Sequence, residues 1–343
     1  MMYGVVRVDR AFLCEDNGVD VVDEVFLGWG VMWEGDGEWI QVWTHYGYRG
    51  WMERGVIEEK SREWFEERER EGNVYVVTRG FADVMREPRV QARVLETLGR
   101  GCFVERIGES RNGYWSVKLA DGVDGFVPEA ALKKRLDSDR FLWENLGERE
   151  RVFAEQGIPY GWSEGGFRRK VVECAKGYLG CQYRWGGKAA DGIDCSGVVF
   201  MSYLMNGVLI WRDAEIVEGY PVRKIWGEGE RFELVEERAK PGDLLFWKGH
   251  VGMYLGEGKY LHCTGHVGVF GCRVNSLREE DEDFREDLAE SLAAVGCLTV
   301  RLNYLSCYLK QANDTLGHEY RDLLLQRVAE AILESIPCHA CGR

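Results

Sequence analysis

The segment Asp191-Gly192-Ile193-Asp194-Cys195-Ser196-Gly197-Val198-Val199-Phe200 decides how this chain is read. A glycine-rich approach (Trp185-Gly186-Gly187, then Gly192) ends at Asp194, and an apolar run follows at once. Asp is a preferred N-cap, so the pattern predicts a helix over about 196–206 with Cys195 at its N-terminus. Free backbone N–H groups and the helix dipole at that end favour a thiolate. The same N–H groups suit the oxyanion of a tetrahedral intermediate. Taken alone, Cys195 reads as one more small buried apolar residue, like Cys174 or Cys297. Histidine downstream changes that.

Lys248-Gly249-His250-Val251-Gly252-Met253-Tyr254-Leu255 reads as a strand with His250 at its start, and Tyr260-Leu261-His262 lies on the next strand. Register decides whether the two rings cooperate, because a one-residue slip sends a side chain to the other face. A two-residue loop, Glu257-Gly258, would pair Met253 with His262 and separate the rings. A three-residue loop, Gly256-Glu257-Gly258, pairs Leu255 with Lys259 and Gly252 with His262, and puts both rings on one face. The three-residue form is expected. Cys195 is then a nucleophile and His250 the base that takes its proton and later protonates the leaving amine. His262 fixes the ring and tautomer of His250.

The other histidines carry less. His266 sits in a glycine-rich loop and reads as a surface residue, and His45, His318 and His339 have no chemical company. Metal is the competing use of Cys and His. Cys338-His339-Ala340-Cys341 has one CxxC spacing and no second pair, and adjacent His262 and Cys263 point to opposite faces of a strand. No metal and no other cofactor is expected.

Upstream, residues 1–58 and 73–134 repeat one plan of short alternating runs, closing on Tyr48-Arg49-Gly50-Trp51-Met52 and on Asp124-Gly125-Phe126-Val127-Pro128. Each reads as a small all-β barrel. Residues 59–72 form a charged helical linker and 135–165 a second linker, helical around Phe141, Leu142 and Leu146. A catalytic domain is expected over 166–310. Helical spacing at Val171, Cys174/Ala175 and Tyr178/Leu179 stops at Gly180, and strand-like runs follow near 244–247, 251–255 and 260–263. Helices before sheet mean α+β. From 279 onward the pattern looks helical, with 311–343 a helical C-terminal extension carrying Leu323, Leu324, Val328 and Ile332 on one face.

Composition narrows the function classes. Hydrophobic residues at 45% exclude wholesale disorder. A formal net charge of -14 disfavours nucleic acid and anionic membrane surfaces as partners. Charges from Arg7 onward break the N-terminal apolar stretch, so no secretory leader is expected, and the apolar run 198–211 is too short to span a bilayer. An odd 11 Cys, scattered, suits a reducing compartment, so a soluble cytoplasmic protein is expected.

Residues 167–305 resemble the NlpC-type cysteine peptidases, papain-like hydrolases of bacterial cell-wall peptides. The likeness rests on ordered segments: Tyr178-Leu179-Gly180-Cys181-Gln182-Tyr183-Arg184-Trp185-Gly186-Gly187, the stretch 191–197 quoted above, and Ile210-Trp211-Arg212-Asp213-Ala214. Pro241-Gly242-Asp243-Leu244-Leu245-Phe246, Gly249 to Gly256 and Tyr260-Leu261-His262 complete it. It implies Cys195 as nucleophile, His250 as base and His262 as third polar member. Two bacterial SH3-like barrels before such a domain make the whole similar to the γ-D-glutamyl-diamino-acid dipeptidyl peptidases. Those enzymes release L-Ala-γ-D-Glu from wall peptides with a free N-terminal amine, during recycling of wall fragments.

By that similarity the substrate is a murein tripeptide or tetrapeptide with free N-terminal L-Ala, and Tyr183, Asp194 and Ser196 line the site. An ammonium wants carboxylate and hydroxyl acceptors near the nucleophile. The plainer alternatives are a core aromatic for Tyr183 and a helix cap for Asp194. The resemblance also implies an acid from a barrel, for which Glu15, Asp16, Asp83 and Glu87 in barrel loops are candidates. The chain departs from the family in its extension past about 310, and in Cys181, a thiol placed to pair with Cys195 on oxidation. Two other readings stand beside this one. An endopeptidase of intact peptidoglycan fits poorly with the cysteine usage and the N-terminus. An inactive wall-peptide-binding protein would not need Cys195, His250 and His262 together.

Overall fold

The computed structural model describes residues 1–15, 18–143, 153, 156–159 and 161–298. In Trp39-Ile40-Gln41-Val42-Trp43-Thr44, Ile40, Val42 and Thr44 are buried and the alternate residues half-buried, the period of a strand with one face in a core. Seven such strands build the first unit: β1 (Met2–Val6), β2 (Arg10–Cys14), β3 (Val21–Phe26), β4 (Gly30–Glu34), β5 (Trp39–Thr44), β6 (Arg49–Glu53) and β7 (Ile57–Lys60). Their order is β3-β2-β6-β5-β4-β1-β7. Helix α1 (Arg62–Glu71) follows, capped by Ser61 and stopped at left-handed Gly72. The second unit is β8 (Val74–Val77), β9 (Phe81–Met85), β10 (Val94–Gly99), β11 (Phe103–Arg106), β12 (Tyr114–Lys118), β13 (Asp124–Pro128) and β14 (Leu132–Lys134). Its order, β10-β9-β13-β12-β11-β8-β14, repeats the first strand for strand. The duplication expected from the sequence is there.

Closure of the barrels is not. Each sheet is open, ending at β3 and β7 or at β10 and β14. Strand β3 also docks the segment Lys188–Ala189, whose two amides donate to the Glu24 carboxylate at 2.7 and 3.2 Å. The two units share a dry seam. Fully buried Trp29 donates from Nε1 to the Gly101 carbonyl at 2.7 Å, and the Phe103 amide donates to Leu27. Gly28 has φ +79, and a Cβ there would lie 2.4 Å from the Phe103 carbonyl oxygen, so only glycine lets the units approach.

Within the second linker, Arg140–Leu142 form a short 3-10 turn at the start of the stretch expected to be helical; Leu146 and the rest of 144–152 lie outside the described residues. Aspartates explain the turn. Arg135 binds Asp139 and Asp137 at 2.7 and 2.9 Å, Arg68 of α1 lies 3.5 Å from Asp139, and His45 lies 3.2 Å from Asp137, all of them buried. Burial would raise the Asp137 carboxyl, but Arg135 and His45 hold it well below the usual carboxylate range.

The catalytic domain is α+β, as expected. Its helices are α2 (Glu164–Lys176), α3 (Cys195–Leu204), α4 (Glu233–Arg238) and α5 (Glu286–Glu290), and β15 (Lys188–Ala189) pairs with β16 (Gly192–Ile193). A sheet of β17 (Val222–Gly227), β18 (Leu244–Trp247), β19 (His250–Gly256), β20 (Lys259–Thr264), β21 (Gly271–Ser276) and β22 (Ala294–Leu298) has the order β17-β22-β18-β19-β20-β21. Every residue of α3 is buried, which a helix apolar on all sides requires. The helical reading from 279 onward is corrected by β22, a strand between β17 and β18. Gly296 lies so near Val222 and Phe246 that a Cβ would meet them at 2.7 and 2.9 Å, a demand of the crowded sheet rather than of a helix. The extension 311–343 lies outside the described residues. No described helix is long and apolar enough to cross a membrane.

Candidate active site

Helix α3 begins at Cys195 because Asp194, extended, caps it with a carboxylate oxygen 2.5 Å from the Gly197 amide. The Cys195 sulfur is buried, with the Val251 and Ser196 amides directed at it. Burial, then the charge of Asp194, push the thiol up to about 11 despite those amides. At neutral pH Cys195 rests as a thiol and needs a base.

The expected base, His250, lies on the β19–β20 hairpin. Its turn is the two-residue Glu257-Gly258, both at positive φ (53° and 73°), with Gly256 paired to Lys259. The three-residue loop expected from the sequence is therefore corrected. The register is not, because the pairing shifts between Gly256 and Tyr254, leaving Met253 opposite Leu261. One bulged residue restores what the shorter turn removes. Gly252 then faces His262, and a Cβ on it would touch the His262 Cβ at 3.3 Å.

His250 and His262 consequently share a face, with His250 Nε2 2.7 Å from His262 Nδ1. His262 Nε2 in turn lies 3.1 Å from Asn275 Oδ1. Burial lowers His250 to about 4; burial, then the neighbouring His250, lower His262 to about 3. Both rings are neutral at pH 7. Cys195, His250 and His262 are thus all uncharged at neutral pH.

The far flank of the nucleophile is built by the first β unit. Arg212 binds Asp194 with two nitrogens at 3.1 and 2.9 Å, reaches Ser196 Oγ at 2.6 Å, and donates from Nε to Asp23 on β3 at 2.7 Å. Asp23 also takes a hydrogen bond from Lys188 Nζ at 2.9 Å and one from Tyr46. Lys188 is fully buried against the Trp29, Tyr46 and Phe200 rings; burial, only partly offset by Asp23, lowers it to about 8. Beside this network Tyr48 donates to both oxygens of Asp213 at 3.0 Å, and burial raises the Asp213 carboxyl.

Residues 180–280 match the NlpC/P60 family. Over 291 residues the chain is 34% identical to the protein named dipeptidyl-peptidase 6 from Lysinibacillus sphaericus, spanning 82% of this chain and 94% of that one. The chain belongs to the NlpC/P60 family. It is a cysteine peptidase. Across the NlpC/P60 relatives it also matches γ-D-glutamyl-L-lysine dipeptidyl-peptidase of Bacillus subtilis, at 25% identity over 74% of this chain and 75% of the relative. An NlpC/P60 protein from Bacillus cereus has the same fold, with a TM-score of 0.61 over 85% of this chain and 98% of its own, at 17% identity.

Within this NlpC/P60 site, Cys195 stands beside Val251, and His250 and His262 stand in mutual contact. Tyr183 is half-buried, its phenol raised by burial and then by Cys195, so it stays a hydrogen-bond donor near the sulfur. Asp194 and Ser196 flank the nucleophile, but both are engaged by Arg212. Asp194 is also the helix cap of the plainer alternative. The candidate acids reach elsewhere: Asp83, expected in a loop, lies on β9 and accepts from Thr97, and Glu87 pairs with Arg89, both inside the second unit. Glu15 is exposed and Asp16 lies outside the described residues. The acid that the first unit brings is Asp23, and its signal was present as Asp23-Glu24 inside an apolar strand run. Arg212 and Asp213 belong to the segment Ile210–Ala214, to which the sequence alone assigns no role. Cys181 donates to the Ala190 carbonyl at 3.0 Å, and the neighbouring thiol acting on it is Cys272. His266 is exposed, as expected; His318, His339, Cys338 and Cys341 lie outside the described residues. Among the described residues no cluster of three or more His, Cys, Asp or Glu side chains could hold a metal.

Proposed function

We propose that this peptidase hydrolyses the γ-D-Glu–diamino-acid bond of murein tripeptides or tetrapeptides with a free N-terminal L-Ala, releasing L-Ala-γ-D-Glu. The observation that carries the reading is the Asp23–Arg212–Asp194 chain. It fills one flank of Cys195 with the first β unit, so a substrate that ends there fits better than one that continues. Asp213, desolvated and held by Tyr48, is the acceptor suited to the terminating ammonium, since Arg212 already matches Asp194. Two relatives named dipeptidyl-peptidases support the same end-directed action.

In this mechanism the Cys195 sulfur attacks the γ-carbonyl carbon as its proton passes to His250. Backbone N–H groups at the start of α3 receive the oxyanion. His250 returns the proton to the leaving amine, and a water molecule, deprotonated by the same ring, hydrolyses the thioester. The two β units act as SH3-like modules, of which the first completes the site. The reading includes a cytoplasmic place in the recycling of wall fragments, supported by buried cysteines such as Cys14, Cys102 and Cys297 that a reducing compartment tolerates.

The test is mass-spectrometric digestion of L-Ala-γ-D-Glu-diaminopimelate beside its N-acetylated copy, with Cys195→Ala as control. Release of L-Ala-γ-D-Glu from the free amine alone is expected. Equal cleavage of both peptides would make the enzyme an endopeptidase, and cleavage by Cys195→Ala would remove the nucleophile from the account.

A further inference from the structure

His250 and His262 meet through Nε2 and Nδ1 at 2.7 Å, so one of these nitrogens carries a hydrogen and the other is bare. Only when His250 Nε2 carries it is His250 Nδ1 free to take the thiol proton. If His262 Nδ1 donates instead, the hydrogen of neutral His250 sits on Nδ1, and that nitrogen cannot act as a base toward Cys195. The choice is made one strand further out.

His262 Nε2 lies 3.1 Å from Asn275 Oδ1, while Asn275 Nδ2 donates to the Asp283 carbonyl at 2.8 Å. A carbonyl oxygen only accepts, so the amide cannot be flipped and Oδ1 must face His262. An amide oxygen also only accepts, so His262 carries its hydrogen on Nε2 and leaves Nδ1 bare. The Asp283 carbonyl is fixed by a second donor, the Ser276 amide at 3.0 Å. His262 and Asn275 are 1% and 3% exposed, which keeps solvent from replacing either partner. Register explains the reach: His262 pairs with Arg273 and Tyr260 with Asn275, so Asn275 is the diagonal neighbour of His262 on the same face.

We propose that Asn275 is a positioning residue of this peptidase, setting the tautomer of His262 and thereby leaving His250 Nδ1 bare for the Cys195 thiol. The inference rests on the cysteine-peptidase reading above and adds a residue to it that touches neither substrate nor nucleophile.

Imidazole 15N NMR of the wild-type protein near pH 7 reads it without substrate. Both rings are expected with Nε2 protonated and Nδ1 bare; a protonated Nδ1 on either ring overturns the proposal. Asn275→Leu removes the acceptor at similar size and is expected to lower kcat about 100-fold with KM nearly unchanged, and to mix the tautomers. Asn275→Asp keeps an acceptor and is expected to restore the wild-type tautomers and most of kcat. Full kcat in folded Asn275→Leu, or equal losses in both variants with unchanged tautomers, would overturn it. Should Asn275→Leu not fold, the wild-type spectrum and Asn275→Asp decide. Cys195 alkylation by iodoacetamide that depends on Asn275, without turnover of the wall peptide, would overturn the substrate reading alone.

Discussion

Cys195 and His250 are both uncharged because both are buried, and in the proposed mechanism this sets the pH at which the enzyme stops. His250 is lowered from 6.5 to about 4, so its neutral, basic form persists down to that pH. The acid limb of kcat/KM is expected near pH 4; a limb at the ordinary histidine value would mean a solvated or ion-paired base. Stability follows the same sign. The unfolded chain binds these protons first, so stability is full above 6.5 and falls as pH drops through about 4, measurable as urea midpoints across that window. At this scale the sequence was informative where chemistry is local. Asp194, Cys195 and the start of α3 could be read from a cap, a nucleophile and an apolar run. The roles proposed for Asn275 and Asp213 could not, because each rests on contacts with a strand or a unit distant in the chain.

The hairpin shows how an element fixes a residue's role. His250 and His262 share a face through two compensating features, the tight Glu257-Gly258 turn and the bulged residue before it. Sequence alone could weigh one loop length against another, but a bulge depends on neighbouring strands and leaves no local signal. A turn with two positive φ values prefers Asn-Gly. Glu257→Asn is therefore expected to stabilise the protein by up to about 1 kcal/mol with unchanged kcat. Gly258→Ala should destabilise it by about 1–2 kcal/mol, since its Cβ would also press on Arg278 at 2.6 Å. Thermal unfolding beside activity checks both, and a destabilised Glu257→Asn would refute the turn assignment. Strand β22 belongs to the same lesson. Its small residues read as helix in isolation and become a central strand because β17 and β18 leave a slot there.

The whole molecule is held by charges buried between units. Asp23 on the first unit faces Arg212 and Lys188 of the catalytic domain, and Arg135 faces Asp137 and Asp139 at the linker. Removing one partner strands the other charge in a dry seam, so Asp23→Ala and Asp139→Ala should each destabilise by about 3–5 kcal/mol. Their effects on catalysis should differ. Asp23→Ala releases Arg212 and with it Asp194 and Ser196, so kcat/KM should fall about tenfold or more even in the folded fraction. Asp139→Ala, remote from Cys195, should leave kcat of the folded protein unchanged. Chemical denaturation and initial rates on both variants separate the two seams. The duplication of the β units was legible from repeated closing patterns. Their open sheets were not, because strand patterning alone does not say whether the last strands of a sheet meet.

Selectivity for the free amine is read from the ratio of kcat/KM for L-Ala-γ-D-Glu-diaminopimelate over its N-acetylated copy, in wild type and in Asp213→Asn. A charge-assisted contact to the amine gives a wild-type ratio above about tenfold that collapses toward one in the variant. A wild-type ratio near one would contradict the account.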